Sequence, residues 1–133
     1  MESITLSAEP LSVGRVRCFV RSMLLDRDME PFAAELLASE LATNVVRHVQ
    51  TDFTVVVAFE PCVRVEIHDG LAASEDFREI VNNPPEVPVD SAGGRGLRLV
   101  RRLSSRSGLQ DEPGIWDGKI MWFELDPPDL SSA

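Results

Sequence analysis

With 133 residues, 44% apolar and 26% charged, the chain has the size and make-up of one globular domain burying a single core. The formal net charge of −9 argues against duplex DNA or RNA as the main partner, because phosphate binding draws on a basic surface. No apolar run reaches the length of a membrane span, the first residues show no signal-peptide pattern, and Cys18 and Cys62 lack ligand spacing, so a cytoplasmic protein with two buried, reduced thiols is expected.

Ile4 and Leu6 alternate with polar neighbours, which predicts a short first strand ending at Pro10. Ser12 can cap a helix to about Leu25, with Val16, Phe19, Val20, Met23 and Leu24 on one face. Asp28 to Pro31 opens a second helix that ends near Gln50, since proline is tolerated in a first turn. On it, Glu40, Asn44 and His48 stand at i, i+4 and i+8. Side chains four apart stack over one another, so these form one polar stripe beside the apolar arc of Leu37, Leu41, Val45 and Val49. A carboxylate and an amide oxygen at such a border suit a hard cation and its phosphate ligand. Taken alone, the pair reads more simply as a boundary stripe, and His48 as a hydrogen-bonded core histidine.

Phe53 to Phe59 reads as a strand, and after the Glu60-Pro61 turn Val63, Val65 and Ile67 alternate with Arg64, Glu66 and His68. The pair predicts an antiparallel hairpin with a solvated His68. One further step of the alternation turns Asp69 inward, ahead of Gly70, and a buried carboxylate needs a donor from the protein or from a ligand. Residues 71–92 form a long aperiodic segment with three prolines and five acidic residues, the kind of loop that serves function. Gly93-Gly94-Arg95-Gly96 then runs into a short helix with Leu97, Leu99, Val100 and Leu103. Arg95, Arg98, Arg101, Arg102 and Arg106 make a local basic cluster, read as an exposed helix face. Ser107 to Gln110 is a weak strand, Lys119 to Leu125 a convincing one, and 126–133 a loose tail. Trp116 and Trp122 read as packing residues. The expected class is α+β: a two-layer sandwich with helices on one face of a mostly antiparallel mixed sheet.

Four phrases now stand in order: Ser-Glu40-Leu-Ala-Thr-Asn44-Val-Val-Arg-His48, Val-Glu-Ile-His-Asp69-Gly70, Gly-Gly94-Arg95-Gly96-Leu97 and Gly-Lys-Ile-Met-Trp-Phe-Glu-Leu125. Together they resemble the Bergerat ATP-binding fold of the GHKL superfamily (gyrase, heat-shock chaperone, histidine kinase, MutL). The chain is most similar to its small anti-sigma-factor serine/threonine kinases and their actinobacterial relatives, over residues 4–125. The resemblance implies ATP as substrate and Mg2+ as cofactor. Asn44 would be the Mg2+ ligand, Glu40 the group that orients or deprotonates a hydroxyl, and Asp69 with Gly70 the adenine contact. Gly93, Gly94, Arg95, Gly96 and Leu97 would form the phosphate loop and helix start, and 71–92 the lid. It also implies an anti-sigma-factor antagonist and a sigma factor as partners, and homodimerisation.

Two departures stand out. The relatives carry Asp-x-Gly where this chain has Asp69-Gly70-Leu71-Ala72-Ala73, and threonine where it has Ile120. Both predict weaker nucleotide affinity, and with it the alternative of a partner-binding module that keeps the fold but little or no kinase activity.

Overall fold

The computed structural model describes residues 1–75, 78–79, 94–112 and 118–130. The elements are β1 (Glu2–Leu6), α1 (Pro10–Leu25), α2 (Phe32–Asn44) with a π turn continuing it (Val45–Val49), β2 (Phe53–Ala58), β3 (Val63–Asp69), α3 (Gly94–Leu103), β4 (Arg106–Glu112), β5 (Gly118–Leu125) and a short α4 (Pro127–Leu130). The strands make one sheet in the order β1-β2-β3-β5-β4, and every neighbouring pair is antiparallel. The class is α+β, with no parallel pair among the described strands.

Alternation decides which face is covered. Phe53, Val55 and Val57 of β2, Val63, Val65 and Ile67 of β3, and Met121, Phe123 and Leu125 of β5 are all buried. The register places Val55 beside Ile67 and Ile67 beside Met121, so these side chains share one face. Each contributes about 1.5–3 kcal/mol on burial. Helix α2 lies against this face and also packs on α1 and α3. It is therefore buried nearly all round, from Ala33 and Ala34 through Leu37, Ala38 and Leu41 to Ala42 and Asn44, as a central helix must be.

Three local expectations are corrected. Helix α1 begins at Pro10, whose missing N–H costs nothing in a first turn, and Ser12 is buried inside the helix instead of capping it. Cys18 is exposed and Cys62 half-buried, so the two buried thiols are not found. Val16, Val20 and Leu24 turn α1 toward the core, and Cys18, two residues beyond Val16, sits roughly 200° round the helix. His48 is exposed, not a core residue. After Asn44 the helix widens into the π turn, closed by the Gln50 N–H on the Val45 carbonyl at 2.8 Å. The wider turn takes up an extra residue, which slips His48 off the stripe that Glu40 and Asn44 share.

The other face of the sheet carries a ladder of charges. Arg64 bonds Glu66 at 2.7 Å and Glu124 at 2.9 Å, and its guanidinium lies over the Trp122 ring, 4.2 Å from the centroid. His68, expected to be solvated, is half-buried and bonded to Glu66 at 2.8 Å. Burial pushes the Glu66 carboxyl up, but bonds from Arg64 and His68 outweigh it and hold it below its usual range. Arg106 does not join the α3 arginines. It reaches Glu124 at 2.7 Å and Asp126 at 2.6 Å, which raises its own pKa and lowers both carboxyls. That pairing fixes the start of the segment expected to be loose, where α4 forms. Trp122 packs as expected, while Trp116 lies outside the described residues.

No helix among the described residues is long and apolar enough to cross a membrane.

Candidate functional site

The inner face of the sheet and the end of α2 bring together residues separated by 77 positions in the chain. Asn44 is 5% exposed, and its amide nitrogen points at the sulfur of Met121, 3.9 Å away, in the middle of β5. Its carbonyl oxygen, Oδ1, is buried and has no hydrogen-bond partner among the described residues. Other hydroxyls on the same helix are satisfied locally: Ser39 Oγ donates to the Leu36 carbonyl at 2.8 Å and Thr43 Oγ1 to the Ser39 carbonyl at 2.7 Å. A buried carbonyl oxygen with no donor is uncommon, and it asks for a ligand, a water or an ion.

Glu40 lies one turn back and is half-buried. It faces the first turn of α3: a Cβ placed on Gly96 would stand 2.8 Å from Glu40 Oε2 and 3.4 Å from Glu40 Cβ. Glycine at 96 leaves room for the Glu40 carboxylate in this position. Leu97 and Val100 anchor the same helix in the core, so its N-terminal turn is held over Glu40. The free N–H groups of such a turn carry partial positive charge. Gly94 begins the helix; Arg95 follows it in the first turn. Gly93 and residues 76–77 and 80–92 of the expected lid lie outside the described residues.

Asp69 sits on the same inner face. It pairs with Lys119 of β5, two residues before Met121 and so about 7 Å along the strand from the residue beneath Asn44. Its side chain is 1% exposed and that of Lys119 is 2%. Lys119 Nζ straddles the carboxylate, 3.1 Å from Oδ1 and 3.0 Å from Oδ2, and also donates to the Leu71 carbonyl at 3.0 Å. The Leu71 N–H donates to Asp69 Oδ1 at 2.9 Å, and the Gly70 N–H to Thr51 Oγ1 at 2.9 Å. The turn after β3 is thus closed on itself, with a lysine beneath it.

The donor that Asp69 requires comes from the protein. The alternation left protein and ligand open as its source; the family resemblance implied adenine, and a lost hydroxyl at Ile120. That residue faces the outer side of the sheet, opposite His68, and cannot address Asp69. The functional residue overlooked is Lys119. Its signal was present, since Lys119 is in phase with Met121, Phe123 and Leu125. Gly118 completes the arrangement: a Cβ there would stand 2.0 Å from the Asp69 carbonyl oxygen, so only glycine lets β5 start so close to the turn.

The structure therefore gathers Glu40, Asn44 and Gly96 at one corner, with Asp69, Gly70 and Lys119 farther along the same face. No protein-family model matches the chain. No curated protein matches it either.

Proposed function

We propose that this chain is a cytoplasmic regulatory protein of the anti-sigma-factor serine-kinase type, built on the Bergerat ATP-binding fold. The carrying observation is the buried amide oxygen of Asn44, without a partner among the described residues and one helical turn from Glu40, whose carboxylate meets the first turn of α3. Hard cations with phosphate ligands take oxygen donors and keep several waters, so one amide oxygen suits Mg2+. When bound, Mg2+ would offset phosphate charge. The chain's own part is then positional: Asn44 fixes one end of the ligand, the α3 N–H groups face its phosphates, and Glu40 orients a serine hydroxyl and accepts its proton. The acceptor serine would belong to an antagonist protein, with a sigma factor as the second partner and a homodimer as the working unit.

The base end does not fit equally well. Asp69 already holds an ammonium group, so no adenine contact is assigned to it. That pair favours the alternative, a partner-binding module of the same fold with little or no kinase activity.

Titration of the purified chain with Mg-ATP, followed by a search for phosphate on a co-purifying partner, separates the two. On the kinase reading, Asn44→Ala weakens binding at least tenfold, about 1.4 kcal/mol. Glu40→Gln leaves binding in place but lowers transfer by about 10²-fold or more. Unchanged binding in Asn44→Ala removes the reading, and binding with no transfer in the unsubstituted chain leaves the alternative.

A further inference from the structure

We infer that Lys119 stands in for the amino group of a nucleotide base, so that a ligand held at Asn44 is selected by its phosphates and not by its base. The inference rests on the nucleotide reading above and adds a specificity to it.

Three observations carry it. Lys119 contacts both carboxylate oxygens of Asp69 at 3.0–3.1 Å, with both side chains at 2% exposure or less. A charge-assisted bond of this kind is stronger than one from a neutral aromatic amine, and it is stronger still away from water. A base amine therefore cannot displace the ammonium at equal geometry, and expelling it would leave a buried carboxylate without its counter-charge. Lys119 is also fixed from its other side, because Nζ donates to the Leu71 carbonyl at 3.0 Å while the Leu71 N–H closes on Asp69. Finally, the close approach of Gly118 to the Asp69 carbonyl presses the start of β5 against the turn and leaves Lys119 directly under it. The recognition element that would read a base is occupied from within the sheet.

The test is calorimetry on the full chain with Mg2+ and, in turn, ATP, GTP and inorganic tripolyphosphate. The expected result is affinities equal to within about threefold. ATP bound at least tenfold tighter than the other two overturns the inference and leaves the nucleotide reading standing. Lys119→Ala frees Asp69, so in that variant ATP should gain about tenfold over GTP and tripolyphosphate. Lys119→Met is the second variant, with thermal melting to show that either one is folded. A folded variant with no gain for ATP also overturns the inference. ATP binding seen only after the substitution overturns the inference, because the natural chain would then hold no ligand by its phosphates, and it removes the nucleotide reading for the natural chain as well. Failure of all three compounds in every form removes both, and the natural-chain comparison decides the matter even if neither variant folds.

Discussion

The two ends of the site handle buried polarity in opposite ways. At the Asn44 corner an oxygen taken out of water has no described partner, whereas at Asp69 Oδ1 accepts from a backbone N–H and from the Lys119 ammonium, and Oδ2 is met by the same ammonium as an ion pair 3.0 Å away. Both meet one face of one sheet, and their neighbours on β5, Met121 and Lys119, are two residues or about 7 Å apart along the strand. An unmatched group lowers stability and is kept where something outside the fold completes it. A matched pair is part of the fold itself. On the proposed reading the corner is where a ligand acts, and the Asp69 end is the frame.

The largest effect should come from breaking that frame. Lys119→Ala leaves a buried carboxylate without its cation and should cost about 3–5 kcal/mol in a denaturant melt. Replacing both partners with apolar residues, as Asp69→Leu with Lys119→Met, should return stability to within about 1 kcal/mol of the natural chain, because the desolvation penalty disappears along with the attraction. A single substitution that costs less than 1 kcal/mol would mean that water reaches the pair, and the contrast between the two ends would be lost.

A smaller effect comes from the two glycines that border these ends. A methyl on Gly118 meets the Asp69 carbonyl oxygen at 2.0 Å, and backbone cannot step aside. Gly118→Ala should cost about 1–3 kcal/mol or more. A methyl on Gly96 meets the tip of Glu40 at 2.8 Å, and a carboxylate at the end of a flexible side chain can swing away. Alanine is also the better helix former, by roughly 0.8–1.0 kcal/mol. Gly96→Ala should therefore melt within about 1 kcal/mol of the natural chain while moving Glu40. Equal costs for the two substitutions would show that the α2–α3 contact is as rigid as the sheet.

Much of this was legible in the sequence. Strand alternation placed Ile67 and Asp69 on the inner face and helix periodicity put Glu40 and Asn44 on one stripe, so their convergence followed from two periods and one antiparallel pairing. Lys119 follows from the same rule, being in phase with Met121, Phe123 and Leu125, whereas Ile120 is on the other face. A one-residue slip moves a side chain to the opposite face. Cys18 was readable too, from the Val16, Val20 and Leu24 stripe. His48 was not. Nothing local in Val45-Val-Arg-His48-Val distinguishes a π turn from an α turn, and the choice is made by how the end of α2 packs. Gly93 and residues 76–77 and 80–92 of the expected lid lie outside the described residues.

The smallest expected change in stability is also the most telling about the corner. Asn44→Leu removes the unpartnered oxygen and puts apolar surface against Val45, Met121 and their neighbours in the core. Removing a buried acceptor that has no donor relieves a desolvation cost of about 1–3 kcal/mol, and leucine has about the shape to fill the space. Some crowding offsets that gain, by about 1 kcal/mol or more. The variant should melt within about 1 kcal/mol of the natural chain, on either side of it, while Mg-ATP binding falls at least tenfold. Stability kept while binding is lost is what a residue held for a ligand produces. A loss above about 2 kcal/mol would instead mean that Oδ1 has a protein partner, and the amide would then belong to the frame, as Asp69 and Lys119 do.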